Sequence, residues 1–376
     1  MALTSWWLVV LCAALAVTAL IGSAVTWDLV AARRTRRAVC LLLTQALLVV
    51  PVALVVNRTY DFFPTWADLL GRTVEQRVAV EPAGSADTAA YALAATGRVE
   101  GDGLVVPWVD DDPRLGIRRQ DFVYLPAAYF TDRAKRFPVV ELVPGFPGSP
   151  SSWTQSLHLA RALDTEIASG RAAPVVAVVV AEHDPGLHDT ECVDAVRGQR
   201  DDTYLSSDLR LRFAQAFRVR RDARGWGIGG YSTGGYCAVN LAFRHPDEYA
   251  AAASMSGNYS PYLDWTTGDL FRHDRAVRDA NDPRWRAAHH AQPDVPLWLA
   301  AATSDHEAAA DLRSFAALLR PRPEVVVLPQ GGHSALFWRA VEPEMLDWLT
   351  AQLGPALAAP LVPEEPSPSA LSASAR

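Results

Sequence analysis

The sequence predicts an α/β fold with a mostly parallel central sheet, preceded by two transmembrane helices. Three observations predict it: two apolar stretches without Asp, Glu, Lys or Arg in the first 57 residues, short apolar runs alternating with helical patterns over residues 99–354, and a Gly-x-Ser-x-Gly turn where one such run gives way to a helical pattern. The chain has 376 residues, 50% hydrophobic and 20% charged, with a formal net charge of −7. Its charged fraction is below the ~25% of an average soluble domain, so part of the apolar content belongs outside a soluble core.

That part lies at the start. Residues 5–27 and 38–57 carry no Asp, Glu, Lys or Arg, and at ~1.5 Å per residue each run is about 30 Å or longer, the thickness of a bilayer core. Trp6, Trp7 and Trp27 flank the first run as interfacial aromatics do, and Pro51 in the second is tolerated in a membrane helix. A cleaved signal peptide is the competing reading of the first run, but no Lys or Arg precedes it and an Arg-rich segment follows it. Residues 28–37 include Arg33-Arg34-Thr35-Arg36-Arg37. The positive-inside rule puts this short loop in the cytoplasm, so the rest of the chain is expected outside the plasma membrane. The remainder is not basic, and no nucleic-acid partner is expected.

Residues 58–98 read as an Ala-rich connector and 355–376, rich in Pro, Ala and Ser, as a disordered tail. Between them, 99–354 form one folded domain. Its strands are expected at Gly103–Trp108, Asp121–Leu125, Val139–Val143, Pro174–Val180, Trp226–Tyr231, Ala250–Met255, Leu297–Ala302 and Val325–Leu328. Helical patterns cover Ser151–Leu163, Tyr204–Phe217, Gly234–Phe243, Glu307–Leu319 and Ala335–Leu353. Early strands joined without helices and later ones separated by them give a mostly parallel sheet covered on both faces, with chemistry beyond the C-terminal strand ends.

The most informative segment is Gly230-Tyr231-Ser232-Thr233-Gly234, at a strand-to-helix junction. A nucleophile elbow needs this context, because the serine sits in a strained turn and the glycines remove Cβ atoms where strand and helix crowd. An ordinary Gly-rich turn is the bland alternative; a phosphate-binding P-loop is excluded because no Gly-Lys-Ser/Thr follows. A serine needs a base to take its proton and an acid to orient that base, and in an elbow fold both lie downstream. The strand 297–302 runs into Asp305, and the strand 325–328 into Gly331-Gly332-His333. Ser232, Asp305 and His333 are therefore the expected nucleophile, acid and base, with Glu307 the rival acid. Other histidines compete less well: His245 precedes Pro246, and His289 and His290 follow no strand.

Acyl transfer also needs donors for an oxyanion. The Thr233 backbone N–H is one expected donor. The loop Pro144-Gly145-Phe146-Pro147-Gly148 supplies the other; its prolines have no N–H, so Gly145 or Phe146 must donate, and Phe146 is preferred. Gly145 and Tyr231 are expected at the substrate. So is Asp184, in an acidic loop of residues 183–191 that lacks regular metal-ligand spacing. No metal and no cofactor are expected. Cys192 and Cys237 belong to the outer domain and can form a disulfide there; two buried thiols are the alternative.

The run Asp189-Thr190-Glu191-Cys192-Val193-Asp194, then Thr203-Tyr204-Leu205, the elbow, His245-Pro246-Asp247 before a strand ending Ser256-Gly257, and Gly332-His333-Ser334 followed by Phe337-Trp338, together resemble the putative esterase family. That family includes esterase D-type enzymes and mycolyltransferases. Over about residues 118–353 the resemblance implies an α/β-hydrolase fold, with Ser232, Asp305 and His333 as triad and Phe146 and Thr233 as oxyanion donors. The oxyanion loop departs from many relatives, which carry an acidic or histidine residue before the glycine. The expectation is a membrane-anchored serine esterase or acyltransferase acting on a small-molecule, lipid or glycan ester. A catalytically inactive envelope binding module and a serine peptidase are the competing readings.

Overall fold

The computed structural model describes residues 3–25, 34–60, 63, 66–69, 102–112, 117–180 and 188–358. Most of the expected connector, Asp184 and the tail beyond Ala358 lie outside these residues.

Two helices open the chain, α1 (Trp6–Val25) and α2 (Arg34–Tyr60). Both are long and apolar enough to cross a membrane. α2 begins among the arginines, earlier than the expected start at residue 38. The Ser23 and Thr44 hydroxyls, one from each helix, lie 2.9 Å apart, and the Arg58 guanidinium of α2 lies over the Trp6 ring of α1 at 4.8 Å.

The central sheet has eight strands: β1 (Leu104–Asp112), β2 (Ile117–Leu125), β4 (Val139–Val143), β5 (Val176–Val179), β6 (Trp226–Tyr231), β7 (Ala251–Met255), β8 (Leu297–Ala302) and β9 (Glu324–Leu328), with β3 (Lys135–Arg136) standing apart. Their spatial order is β1-β2-β5-β4-β6-β7-β8-β9. β1 and β2 pair antiparallel, β2 joins β5 antiparallel, and the rest are parallel. All eight expected strands are present. β1 and β2 run further than their apolar stretches, with a register that continues to Asp112 opposite Ile117. β5, β6, β7 and β8 read as continuous apolar or small-residue runs because both faces are buried, whereas the edge strand β9 is part-exposed. On one face Val139, Val143 and Ile228 meet Leu241 of α5 (Thr233–Arg244) and Phe315 of α6 (His306–Leu318). On the other, Val140 and Leu142 meet Leu163 of α3 (Leu159–Ala168) and Met345 of α7 (Ala335–Gln352).

Two expected helices are interrupted. Ser151–Leu163 divides into a π-helical turn at Ser152–Ser156 and α3, separated by His158 at φ 64°. Tyr204–Phe217 opens as a π-helical turn, Tyr204–Asp208, before α4 (Leu209–Ala216). At the other end the chain stays ordered past the expected boundary at residue 354: β10 (Leu357–Ala358) pairs with β3, and Arg220 donates to the Pro355 carbonyl at 2.9 Å.

Ionisable groups are buried within the sheet, Arg119 and Asp121 of β2 and Glu141 of β4. Glu141 of β4 is fully buried and accepts from the Tyr249 hydroxyl at 3.2 Å. Burial pushes its carboxyl up to about 8, the nearby Arg210 and the Tyr249 hydrogen bond opposing only in part. The folded state thus keeps a proton that the unfolded chain releases near the ordinary carboxylate value of ~4.3, so the folded state binds more protons between the two and stability falls as pH rises through that window, by roughly 3–5 kcal/mol at most. Thermal melts at pH 5 and pH 8 are expected to show this loss, and Glu141→Gln to flatten it. A wild-type melting temperature that does not fall between the two pH values overturns the assignment.

Candidate active site

β6 ends at Tyr231 and α5 begins at Thr233, which leaves Ser232 alone in the turn with φ 55° and ψ −127°. A non-glycine residue in this region is strained. Its backbone N–H donates to the Met255 carbonyl of β7 at 2.9 Å, which fastens the turn to the sheet. The glycines on either side are steric requirements. A Cβ on Gly230 would stand 2.1 Å from the Gly234 carbonyl oxygen, and one on Gly234 would stand 2.2 Å from that of Val143. Gly234→Ala is expected to destabilise the domain by about 3 kcal/mol, because backbone and not a pliable side chain must yield. Chemical denaturation measures this, and a loss below ~1 kcal/mol would contradict it.

β8 delivers Asp305 at its C-terminal mouth, where one carboxylate oxygen accepts the Ala308 N–H at 3.3 Å and caps α6. The other lies 2.7 Å from His333 Nδ1, and His333 Nε2 lies 2.8 Å from Ser232 Oγ. With Nδ1 donating to the carboxylate, Nε2 is left to accept from the serine hydroxyl. Burial pushes the Asp305 carboxyl up, but the hydrogen bond and charge of His333 outweigh it and hold the group below its ordinary value. Gly331 (φ 117°) and Gly332 (φ 61°) turn the loop after β9 back over the site. The Gly332 N–H is tied to Ser304 Oγ at 3.0 Å, and the Trp338 ring packs edge-on against His333, centroids 5.4 Å apart.

The rival acid is elsewhere. Glu307 accepts from the Tyr262 hydroxyl at 3.4 Å, on the cavity side.

A cavity of about 580 Å³ opens at Ser232 and His333, and Phe146 and Thr233 both line it. Two other expected substrate residues do not. Tyr231 is buried, stacked on Trp338 with centroids 4.2 Å apart and tilted against Trp153 at 5.5 Å. Strand alternation explains this: next to a residue at the strand end that faces the cavity, its neighbour points into the core. Gly145 serves as a close approach, since a Cβ there would lie 2.7 Å from Ser232 Cβ.

The acidic loop expected to face the substrate brings Asp189 and Glu191 to the cavity, which the unanticipated loop of Tyr262, Asp264 and Trp265 also lines. Asp189 and Glu191 lie on the loop that Cys192 anchors by a disulfide to Cys237 of α5. Burial pushes the Asp189 carboxyl up to about 6, and burial together with the Asp189 charge pushes Glu191 well above its usual range. The signal in the sequence is their adjacency to a cysteine able to pin the loop against the helix that follows Ser232.

A family model described as a putative esterase matches residues 113–324. An uncharacterised protein of Corynebacterium glutamicum is 28% identical over 256 residues, which is 65% of this chain and 60% of the relative. The chain therefore spans about 60% of the length of that curated relative. Among solved structures, a ferulic acid esterase is similar at TM-score 0.58 and 22% identity, covering 68% of this chain and 100% of its own. An S-formylglutathione hydrolase of Agrobacterium tumefaciens is similar at TM-score 0.57 and 17% identity, covering 68% and 97%. MPT51 of Mycobacterium tuberculosis is similar at TM-score 0.54 and 18% identity, covering 67% and 99%. At these identities the structural likeness establishes the α/β-hydrolase fold.

Proposed function

Because the chain belongs to the putative esterase family, we propose that it cleaves or transfers an ester acyl group by way of Ser232. The observation that carries this reading is the unbroken relay at the cavity mouth, Ser232 Oγ to His333 Nε2 at 2.8 Å and His333 Nδ1 to Asp305 at 2.7 Å. His333 takes the serine proton as Oγ adds to the ester carbonyl, and Asp305 stabilises the imidazolium that results. The backbone N–H groups of Thr233 and Phe146 receive the oxyanion, each worth roughly 3 kcal/mol. The imidazolium then protonates the leaving alkoxide, which leaves an acyl-serine. Water or an acceptor hydroxyl, deprotonated by the same His333, releases the acyl group.

The same reading makes residues 1–57 a two-span plasma-membrane anchor with its arginines in the cytoplasm, and residues 99–354 an extracytoplasmic catalytic domain. Supporting it are the length of α1 and α2, the position of Arg33–Arg37 between the two apolar runs and the Cys192–Cys237 bond, since disulfides persist in oxidising compartments. A catalytic domain held there meets lipid and glycan esters of the envelope.

The test is labelling of membranes that contain the full chain with a fluorophosphonate, followed by peptide mapping. An adduct on the peptide that holds Ser232 is expected. An adduct elsewhere, or none, overturns the proposal.

A further inference from the structure

The cavity wall beyond Ser232 holds carboxyl groups that acyl transfer does not use. Glu191 is 1% exposed and lines the cavity. One of its oxygens accepts the Tyr262 N–H at 3.0 Å; the other, buried, has no hydrogen-bond partner among the described residues. Glu191 and Cys192 both have φ 50°, a backbone region costly for side-chain-bearing residues, and the disulfide to α5 holds this segment in place. The position of the Glu191 carboxyl is therefore built at some cost.

Its surroundings are negative. Asp189 accepts the Glu191 N–H at 2.9 Å, and Asp264 accepts the Thr266 N–H at 2.6 Å. The Thr266 hydrogen bonds hold the Asp264 carboxyl below its ordinary value, so its charge is fixed. Asp311, also on the cavity lining, is paired with Arg284, but among the described residues no Lys or Arg lines the cavity. Burial raises the Asp189 and Glu191 carboxyls, with the His188 charge opposing only in part at Asp189, so both favour the neutral acid until a cation beside them stabilises the carboxylate. At the mouth, Trp265 is 84% exposed and Tyr262 55% exposed, so their rings are open to a ligand. Aromatic faces backed by carboxylates are the chemistry that holds an alkylammonium group, and they repel phosphate and carboxylate.

We propose that Glu191, Asp189 and Asp264, with Trp265 and Tyr262 at the rim, form an ammonium-binding subsite, and that the ester handled at Ser232 carries a primary or quaternary ammonium group. The inference rests on the reading of Ser232 as nucleophile and adds the charge of the substrate to it.

The test compares two isosteric esters on the full-length protein, butyrylcholine and 3,3-dimethylbutyl butyrate, which differ only in having nitrogen or carbon at the quaternary centre. Wild type is expected to favour the cationic ester at least tenfold in kcat/KM, equivalent to ~1.4 kcal/mol. Glu191→Gln and Asp189→Asn are each expected to cut that ratio below about threefold, the response of a charge-reading group. A wild-type ratio near one overturns the subsite however the variants fold, and so does a wild-type ratio that neither variant lowers. Failure to cleave either ester while Ser232 still takes the fluorophosphonate also overturns it. Failure of both cleavage and labelling brings down the nucleophile reading instead, and this inference with it.

Discussion

Ser232→Ala is expected to lower kcat for p-nitrophenyl butyrate by about 10⁴–10⁶-fold, with little change in KM. Alanine brings the same Cβ into the same backbone at φ 55°, so the turn survives while the attacking oxygen is lost. What remains comes from the backbone donors at Thr233 and Phe146 and from substrate binding, which do not need the hydroxyl. Fluorophosphonate labelling should vanish in parallel. An adduct that persists in a folded Ser232→Ala protein would sink the assignment of the nucleophile.

Asp305→Asn carries the second largest effect, a fall of about 10³–10⁴ in kcat. The amide can present its N–H to His333 Nδ1, which turns the imidazole into the tautomer whose Nε2 holds a proton and cannot take the one on Ser232. Glu307→Gln is expected to cost at least 100-fold less, because Glu307 meets Tyr262 and not the imidazole. Equal losses in the two variants would reverse the choice of acid. The pH profile carries a matching sign. His333 holds the Asp305 carboxyl below the ordinary carboxylate range, so the stability this pair contributes is fully present above pH ~4 and is lost as pH falls through the depressed value.

Much of this arrangement could be read from the residues in order. Strands such as Val139–Val143 and Leu297–Ala302 are continuous apolar runs because both sheet faces are covered, and their ends point to the loops where Asp305 and His333 sit. The turn at Ser232 was legible because Gly230 and Gly234, needed where backbones touch, stand in the sequence where an apolar run gives way to a helical pattern. What was hidden has physical reasons. The break at His158 depends on a left-handed residue that no glycine announces. The inward turn of Tyr231 depends on which face of β6 points to the core, and its aromatic type suits either side. Glu191 belongs to a loop legible as acidic, but its burial comes only from the tertiary closure of that loop onto α5. The loop of Tyr262 and Trp265 has no periodicity to read, so its place over the cavity comes from tertiary structure alone.

The Cys192–Cys237 bond closes a span of 45 residues, and within that span lie helix α4, strand β6 and Ser232 itself. Protein made in a reducing cytoplasm would begin without this closure, and on chain-entropy grounds would forgo about 2–4 kcal/mol. The loss would fall on the ring of chain that carries Ser232, with Glu191 beside one end of the bond. Host strain and thiol additives therefore belong among the experimental variables: a preparation that titrates as four free thiols and one that titrates as two are different specimens, and their substrate preferences should be compared only after that count is made.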